Sequence, residues 1–411
     1  MKNLLLSAVL AATLFGADHG HLGHDHGAHE EPAFDLSLVV DASYVDRNIK
    51  DAEIGHFELP AIAHGLIGPS AHEGHDHDGM NTENGFNFNY GELQVNYAPE
   101  GNMDFTGILH ITEGNVEVEN AFVTANLAKG LTVRGGKFFS GFGINNPKHH
   151  HAWHFADAPL VHAGFFGSHG INEIGLQLQY EPVVDTLIGF ELLQGTNDQM
   201  FGNDAINDDA NSTLVSEDKQ APSLIVAYAK TSQSIGKAIV DAGVTYMDGS
   251  SRINHLDDEE EAHAFYGDSK VYGVDLALTY PLGGGKSLLW ENEWFQREMD
   301  GNKYVLSSGA RPAVKKEQAA YYSQLIYTLN RDWRFGLRYD DITQNDVNGA
   351  EQEAGDRMSG MVQYRINNDA FVRLQYNNNR ALYEEDEGQK DVKTLIVQFN
   401  YTIGSHAGHN H

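Results

Sequence analysis

From residue 34 onward, apolar and polar side chains alternate with period two in segments of about ten to thirteen residues. A two-residue repeat belongs to extended backbone, so each such segment is a strand with one oily and one wet face. The last segment is the cleanest. Leu395, Val397, Phe399, Tyr401 and Ile403 fall on one face, and Thr394, Gln398, Asn400 and Thr402 on the other. The same alternation runs through Phe34, Leu36, Leu38, Val40, Ala42 and Tyr44, through Ile174, Leu176, Leu178 and Tyr180, and through Leu224, Val226 and Tyr228. It continues in Val240 to Tyr246, Tyr272 to Tyr280, Trp333 to Tyr339, Val362 to Ile366 and Val372 to Tyr376. Many apolar faces end in an aromatic ring, as the girdles of a membrane barrel require.

The segments predict about 16 strands, an even number that suits a bacterial barrel. They lie near 34–45, 85–97, 102–112, 115–127, 130–139, 171–180, 185–194, 221–230, 237–247, 270–280, 286–297, 319–329, 332–342, 357–366, 369–379 and 391–403. The expected fold class is therefore all-β: a transmembrane antiparallel β-barrel of porin-like build. The connections test this independently, because short periplasmic turns should alternate with longer extracellular loops. Residues 99–101, 128–130, 181–183, 281–283, 330–331 and 367–368 are short, and between them lie 46–84, 140–170, 195–220, 248–269, 298–318, 343–356 and 380–390. Only Glu113, Gly114 and Asn115 make a short turn where parity asks for a loop. An even strand number puts both termini in the periplasm. Two segments are irregular: the phase slips between Phe86, Phe88, Tyr90 and Leu93, Val95, Tyr97, where Gly91 favours a bulge, and Trp290, Trp294 and Phe295 are mixed.

Residues 1–17, a lysine followed by a short apolar run ending at Gly16 and Ala17, read as a secretory signal peptide. A His-rich periplasmic segment follows at 18–33, then the barrel at 34–403 and a His-rich tail at 404–411. No run approaches the ~20 apolar residues of a membrane helix. There is no cysteine, so disulfides and thiolate chemistry are excluded. A net charge of −31 argues against nucleic acid and favours cationic solutes.

Any metal must then be held by His, Asp or Glu. His19, His21, His24 and His26 near the start, and His72, His75 and His77 in the first loop, stand at spacings of two or three among acids. Imidazoles interleaved with carboxylates suit Zn²⁺ and similar divalent ions, although such tracts exchange them fast. A different cluster, His149, His150, His151, His154 and Asp157, occupies the third loop between Pro147 and Pro159. A short helix there would put His150, His154 and Asp157 on one face, able to meet one ion or line a constriction if the loop folds inward. Arg334, Arg338, Arg365 and Arg373 share the inward phase of three successive strands and predict a basic pore wall, with Asp157, Glu173, Glu291 and Glu293 opposite it. The alternative is that these arginines neutralise carboxylates within the wall. No Gly-x-Ser-x-Gly elbow, His-Glu-x-x-His or phosphate loop is present, so no enzyme is expected.

Residues 136–160, Gly-Lys-Phe-Phe-Ser-Gly-Phe-Gly-Ile-Asn-Asn-Pro-Lys-His-His-His-Ala-Trp-His-Phe-Ala-Asp-Ala-Pro-Leu, resemble a family labelled zinc-regulated TonB-dependent receptors. His149, His151, Trp153, Phe155, Asp157, Pro159 and Leu160 carry the specific part, and residues 170–178 are also similar. The rest has general similarity to phosphate-selective-porin-like barrels. The resemblance implies a zinc-linked role, while the few residues before the first strand leave no room for a plug domain. The expected function is an outer-membrane channel for small solutes that aids uptake of zinc or another divalent metal, with no tightly bound cofactor. Its partners would be outer-membrane lipid and metal ions, and analogy with 16-strand porins makes a homotrimer the expected assembly. Two alternatives stand beside it: a metal-sequestering surface protein anchored by its barrel, and a general, anion-capable porin with incidental histidines.

Overall fold

The computed structural model describes residues 33–54, 57–64, 80–197, 199–257, 262–384 and 388–404. Sixteen long antiparallel strands form a closed barrel. They are β1 (Ala33–Arg47), β2 (Gly85–Ala98), β3 (Met103–Ile111), β4 (Val116–Ala128), β5 (Leu131–Phe139), β6 (Asn172–Val183), β7 (Thr186–Leu193) and β8 (Leu224–Ile235). β9 (Ala238–His255), β10 (His263–Gly283), β11 (Lys286–Val305), β12 (Ala313–Thr328), β13 (Trp333–Val347), β14 (Asp356–Arg365), β15 (Ala370–Glu384) and β16 (Gly388–Gly404) complete it. Each strand pairs with its neighbour in sequence, and β16 returns to β1 with Ala42 opposite Phe399. Closure leaves no sheet edge, which backbone amides in a bilayer cannot tolerate.

Alternation decides which way each side chain points. In β6, Ile174, Leu176, Leu178 and Tyr180 lie exposed on the outside, whereas Glu173 and Gln177 are buried inside. Exposed apolar stripes of this kind occur on strand after strand around the barrel, as a lipid-facing surface requires. Tyr272 and Tyr280, about 26 Å apart along β10, bracket exposed Val274 and Leu276 in the manner of the two aromatic girdles. The connections at the end where Ala33 and Gly404 lie are all short, two to four residues, whereas most of those at the other end are longer.

Three expectations need correction. Leu224, Val226 and Tyr228 face inward and are almost fully buried, while Ile225 faces out. A strand apolar on both faces has no phase that sequence can orient. Next, residues 248–255, 263–269 and 298–305, read as loop, extend β9, β10 and β11 well past the aromatic ring pair Tyr246–Tyr272. Beyond the lipid both faces meet water, so backbone pairing continues without an apolar stripe to announce it. Finally, the interior is not hydrophilic throughout. Phe57, Leu59 and Ile62 of the first loop, helix α1 (Leu160–Phe166) and Met200 and Phe201 pack with inward Val226, Met247, Val271, Phe295 and Tyr322 into one apolar cluster.

The irregular segments resolve cleanly. The slip in β2 is a bulge in which Asn89 lacks a partner, since Asp41 faces Tyr90 and Ala42 faces Phe88. β11 alternates without a break, with Trp290 outside and Phe295 inside.

Candidate metal centre

The segment between β5 and β6 begins as a loop tied shut at its base. Ser140 donates its backbone N–H to Ile171 O at 2.9 Å, while Asn146 donates to Ser140 O at 2.8 Å and accepts from the Ile171 N–H at 2.9 Å. Gly143 has φ 62°, and a Cβ there would collide with the Glu293 carboxylate, so only glycine allows this approach. Glu293 accepts from the N–H groups of Ile144 (2.7 Å) and Asn145 (3.2 Å), from Tyr322 Oη (2.7 Å) and lies 2.9 Å from His162 Nε2.

Further along, the segment bonds to inward side chains of β13, β14 and β15. Leu160 N–H donates to Asp340 Oδ1 at 2.8 Å, and Ala156 N–H donates to Gln375 Oε1 at 2.7 Å. Asp157 lies between two buried guanidiniums, 2.6 Å from Arg338 Nη2 and 3.0 Å from Arg357 Nη1, and accepts from Gln375 (2.7 Å) and Asn377 (2.8 Å). Burial alone would raise this carboxyl, but Arg357 and Arg338 hold it at about 2. Arg373 donates to Trp153 O at 2.8 Å.

The expected single helix over the histidines does not form. Only His150–Ala152 make one 3-10 turn, and the helix begins after Pro159. Proline fits the start of a helix and disfavours helical backbone just before itself, so it opens α1 rather than closing a preceding helix. His150, His154 and Asp157 therefore face three different surroundings. His154 Nε2 lies 3.6 Å from Glu291 Oε2, whose other oxygen accepts from Lys148 at 3.1 Å. Asp157 sits with the arginines, not opposite them, so it does not belong to the acidic side expected across from the basic wall. Of the expected basic wall, Arg338 is neutralised by Asp157 and Asp340 and Arg373 bonds to Gln363 and Gln398, while Arg334 and Arg365 stay half-buried on the same inward phase. Arg357, which the sequence reading missed, shares both carboxylates with Arg338.

His149, His150 and His151 do come together, against two acids from β2 and β4 and a histidine from β3. Glu92 and His110 are direct cross-strand partners. Glu119 sits at a bulge, because Ile108 faces Asn120 and Leu109 faces Val118, and the extra residue turns its carboxylate inward. His149 Nδ1 is 3.1 Å from Glu119 Oε2 and 3.7 Å from Glu92 Oε2, and His151 Nδ1 is 3.3 Å from Glu92 Oε2. His110 Nδ1 is 3.7 Å from Glu119 Oε1. Donor atoms of His110, Glu119 and His150 lie within 4.8 Å of one another, and so do those of Glu92, Glu119 and His149.

His150 is only 6% exposed, enclosed by Trp153, Tyr90 and His110, and its Nε2 has no hydrogen-bond partner. Burial pushes its imidazole down to about 3, so the ring is neutral at pH 7 with a lone pair to give. A buried imidazole lacking a partner, beside two buried carboxylates, has the chemistry of a divalent-cation site. Sequence reasoning missed Glu92, His110 and Glu119. Glu119 turns inward through a bulge that strand parity does not announce, and nothing in one sequence says which strands face the third loop. His19, His21, His24, His26, His72, His75 and His77 lie outside the described residues.

Fold and interior together define a porin-type β-barrel, a fold that matches outer-membrane proteins of Gram-negative bacteria. OmpT, an outer membrane protein of Vibrio cholerae, is similar as a loop-L8 deletion mutant (TM-score 0.57, 10% identity, 91% of this chain and 100% of that one). Its trimer form gives a TM-score of 0.55 at 11% identity, with the same coverage. An anion-selective porin from Comamonas acidovorans matches with a TM-score of 0.53 at 9% identity, over 91% of this chain and 100% of that one. The chain belongs to the family of an uncharacterized protein of Aquifex aeolicus (strain VF5), 38% identical over 384 residues, which cover 91% of this chain and 79% of that protein. No family model matches.

Proposed function

We propose that this barrel is an outer-membrane channel for small solutes whose third loop folds into the lumen and captures a divalent transition-metal ion such as Zn²⁺, aiding its uptake. The observation that carries this reading is the convergence of Glu92, His110 and Glu119 with His149 and His150. The loop's bonds to inward side chains of β11, β13 and β15 support its position across the interior. Neutral imidazole with carboxylate favours zinc-like ions over calcium or magnesium, which prefer oxygen alone. With the short turns on the periplasmic side, the histidines of 18–33 and 404–411 would receive the ion at the exit. A homotrimer is the proposed assembly, by analogy with the OmpT trimer form.

The apolar cluster inside the barrel favours a second reading, in which the barrel holds metal without passing it. Planar-bilayer recording separates the two. The channel reading expects unitary currents that fall when micromolar Zn²⁺ is added and recover with chelator. A barrel that binds Zn²⁺ but never conducts contradicts it.

A further inference from the structure

Resting on that metal-binding reading, we infer that the centre is built for two ions at once, bridged by the two oxygens of Glu119. One ion takes His110, His150 and Glu119 Oε1, and the other takes Glu92, His149, His151 and Glu119 Oε2.

Donor number makes the first argument. A four-coordinate ion uses four ligands, whereas six side chains converge here and Glu119 brings two oxygens. Geometry makes the second. Ligands about 2.1 Å from a tetrahedral ion stand about 3.4 Å apart. The separations of 3.1 and 3.7 Å from His149 Nδ1, 3.3 Å from His151 Nδ1 and 3.7 Å from His110 Nδ1 cluster around that edge. Two of them are too long for hydrogen bonds. His110 lies by one oxygen of Glu119 and His149 by the other, so one carboxylate serves both groups without moving. The bulge at Glu119 is the backbone device that points it between them. His150 Nε2, buried and without a partner, supplies the independent sign that a ligand belongs on the inner side.

Two divalent ions bring four positive charges to two carboxylates, so the second binds more weakly, by roughly tenfold or more. The outer group contains the more exposed His149 and His151, at 22% and 19% side-chain exposure, and is the side from which ions enter.

The test is anomalous diffraction from crystals of the full chain soaked in ZnCl₂, repeated with Glu119→Gln, His110→Ala and Glu92→Gln. The inference expects two peaks about 3.5–4 Å apart flanking Glu119, both lost in Glu119→Gln. His110→Ala should lose only the inner peak, and Glu92→Gln only the outer one. A single peak at this centre overturns the two-ion arrangement while leaving metal capture intact. No peak here overturns both. Heat-modifiable gel mobility checks that each variant keeps its barrel, and His110→Ala and Glu92→Gln keep the test decisive if Glu119→Gln misfolds.

Discussion

Replacing Asp157 with asparagine should release the middle of the third loop from the barrel wall. Its carboxylate meets Arg338 at 2.6 Å and Arg357 at 3.0 Å; the other carboxylate both arginines meet among the described residues is Asp340, at 3.1 and 3.2 Å, and they also donate to Asp157 O at 2.9 Å and Ala158 O at 2.6 Å. The carboxyl is held at about 2 against an ordinary value of 3.8. At about 1.4 kcal/mol for each tenfold change in affinity for the proton, the charged form is worth about 2–3 kcal/mol to the docked loop. The amide would keep the shape but leave two buried guanidiniums facing one carboxylate, and breaking a buried pair costs up to about 3–5 kcal/mol. The lower range alone is on the order of 100-fold in loop opening. Because the docked-state pKa lies below the free one, this contribution is complete above about pH 4 and is lost as pH falls through about 2. Amide hydrogen exchange reads it directly: the N–H groups of Ala156 and Leu160, bonded to Gln375 and Asp340, should exchange about 50–100-fold faster in the variant at pH 7. The difference from wild type should shrink as both approach pH 2. Equal protection at pH 7, or a difference that ignores pH, would refute the argument.

Other expectations are simpler to state. Leu176→Arg, on the lipid face between Ile174 and Leu178, should destabilise the barrel by about 2–4 kcal/mol in a urea-folding titration into lipid. Phe295→Ala should cost about 3–5 kcal/mol and loosen the third loop, because its ring meets Phe142, Phe166 and His162 at 5.2–5.7 Å; intrinsic fluorescence of Trp153 tracks the change. Zn²⁺ at 100 times its dissociation constant should stabilise the wild type by about 2.7 kcal/mol in thermal scans. EDTA should abolish that gain, and Glu119→Gln should not show it.

Strand number, closure and inward parity were legible because lipid outside and water inside impose opposite demands on alternate residues. The bulge in β2 was visible as a phase slip, but it falls at Asn89 rather than at Gly91, where the slip had suggested it. The orientation of β8 was not, since its buried Leu224, Val226 and Tyr228 join Phe165 and Phe166 in one apolar cluster, and apolar residues stand on both of its faces. The histidines of the third loop stood out by density, yet their sorting depended on partners far away in sequence. His149 and His151 went to Glu92, His154 went to Glu291, and Asp157 went to Arg338 and Arg357. Local spacing carries no information about such contacts, and the helical one-face expectation failed for that reason.

The most direct measurement of transport is flux into proteoliposomes carrying the full chain, with a Zn²⁺-sensitive dye inside, compared with uptake of a neutral sugar and of phosphate. Zn²⁺ entry should exceed that of empty vesicles and outpace both other solutes, and Glu92→Gln with Glu119→Gln should erase the preference. Entry of all three solutes at equal rates in wild type and variant, or of none, would contradict a metal-guided channel.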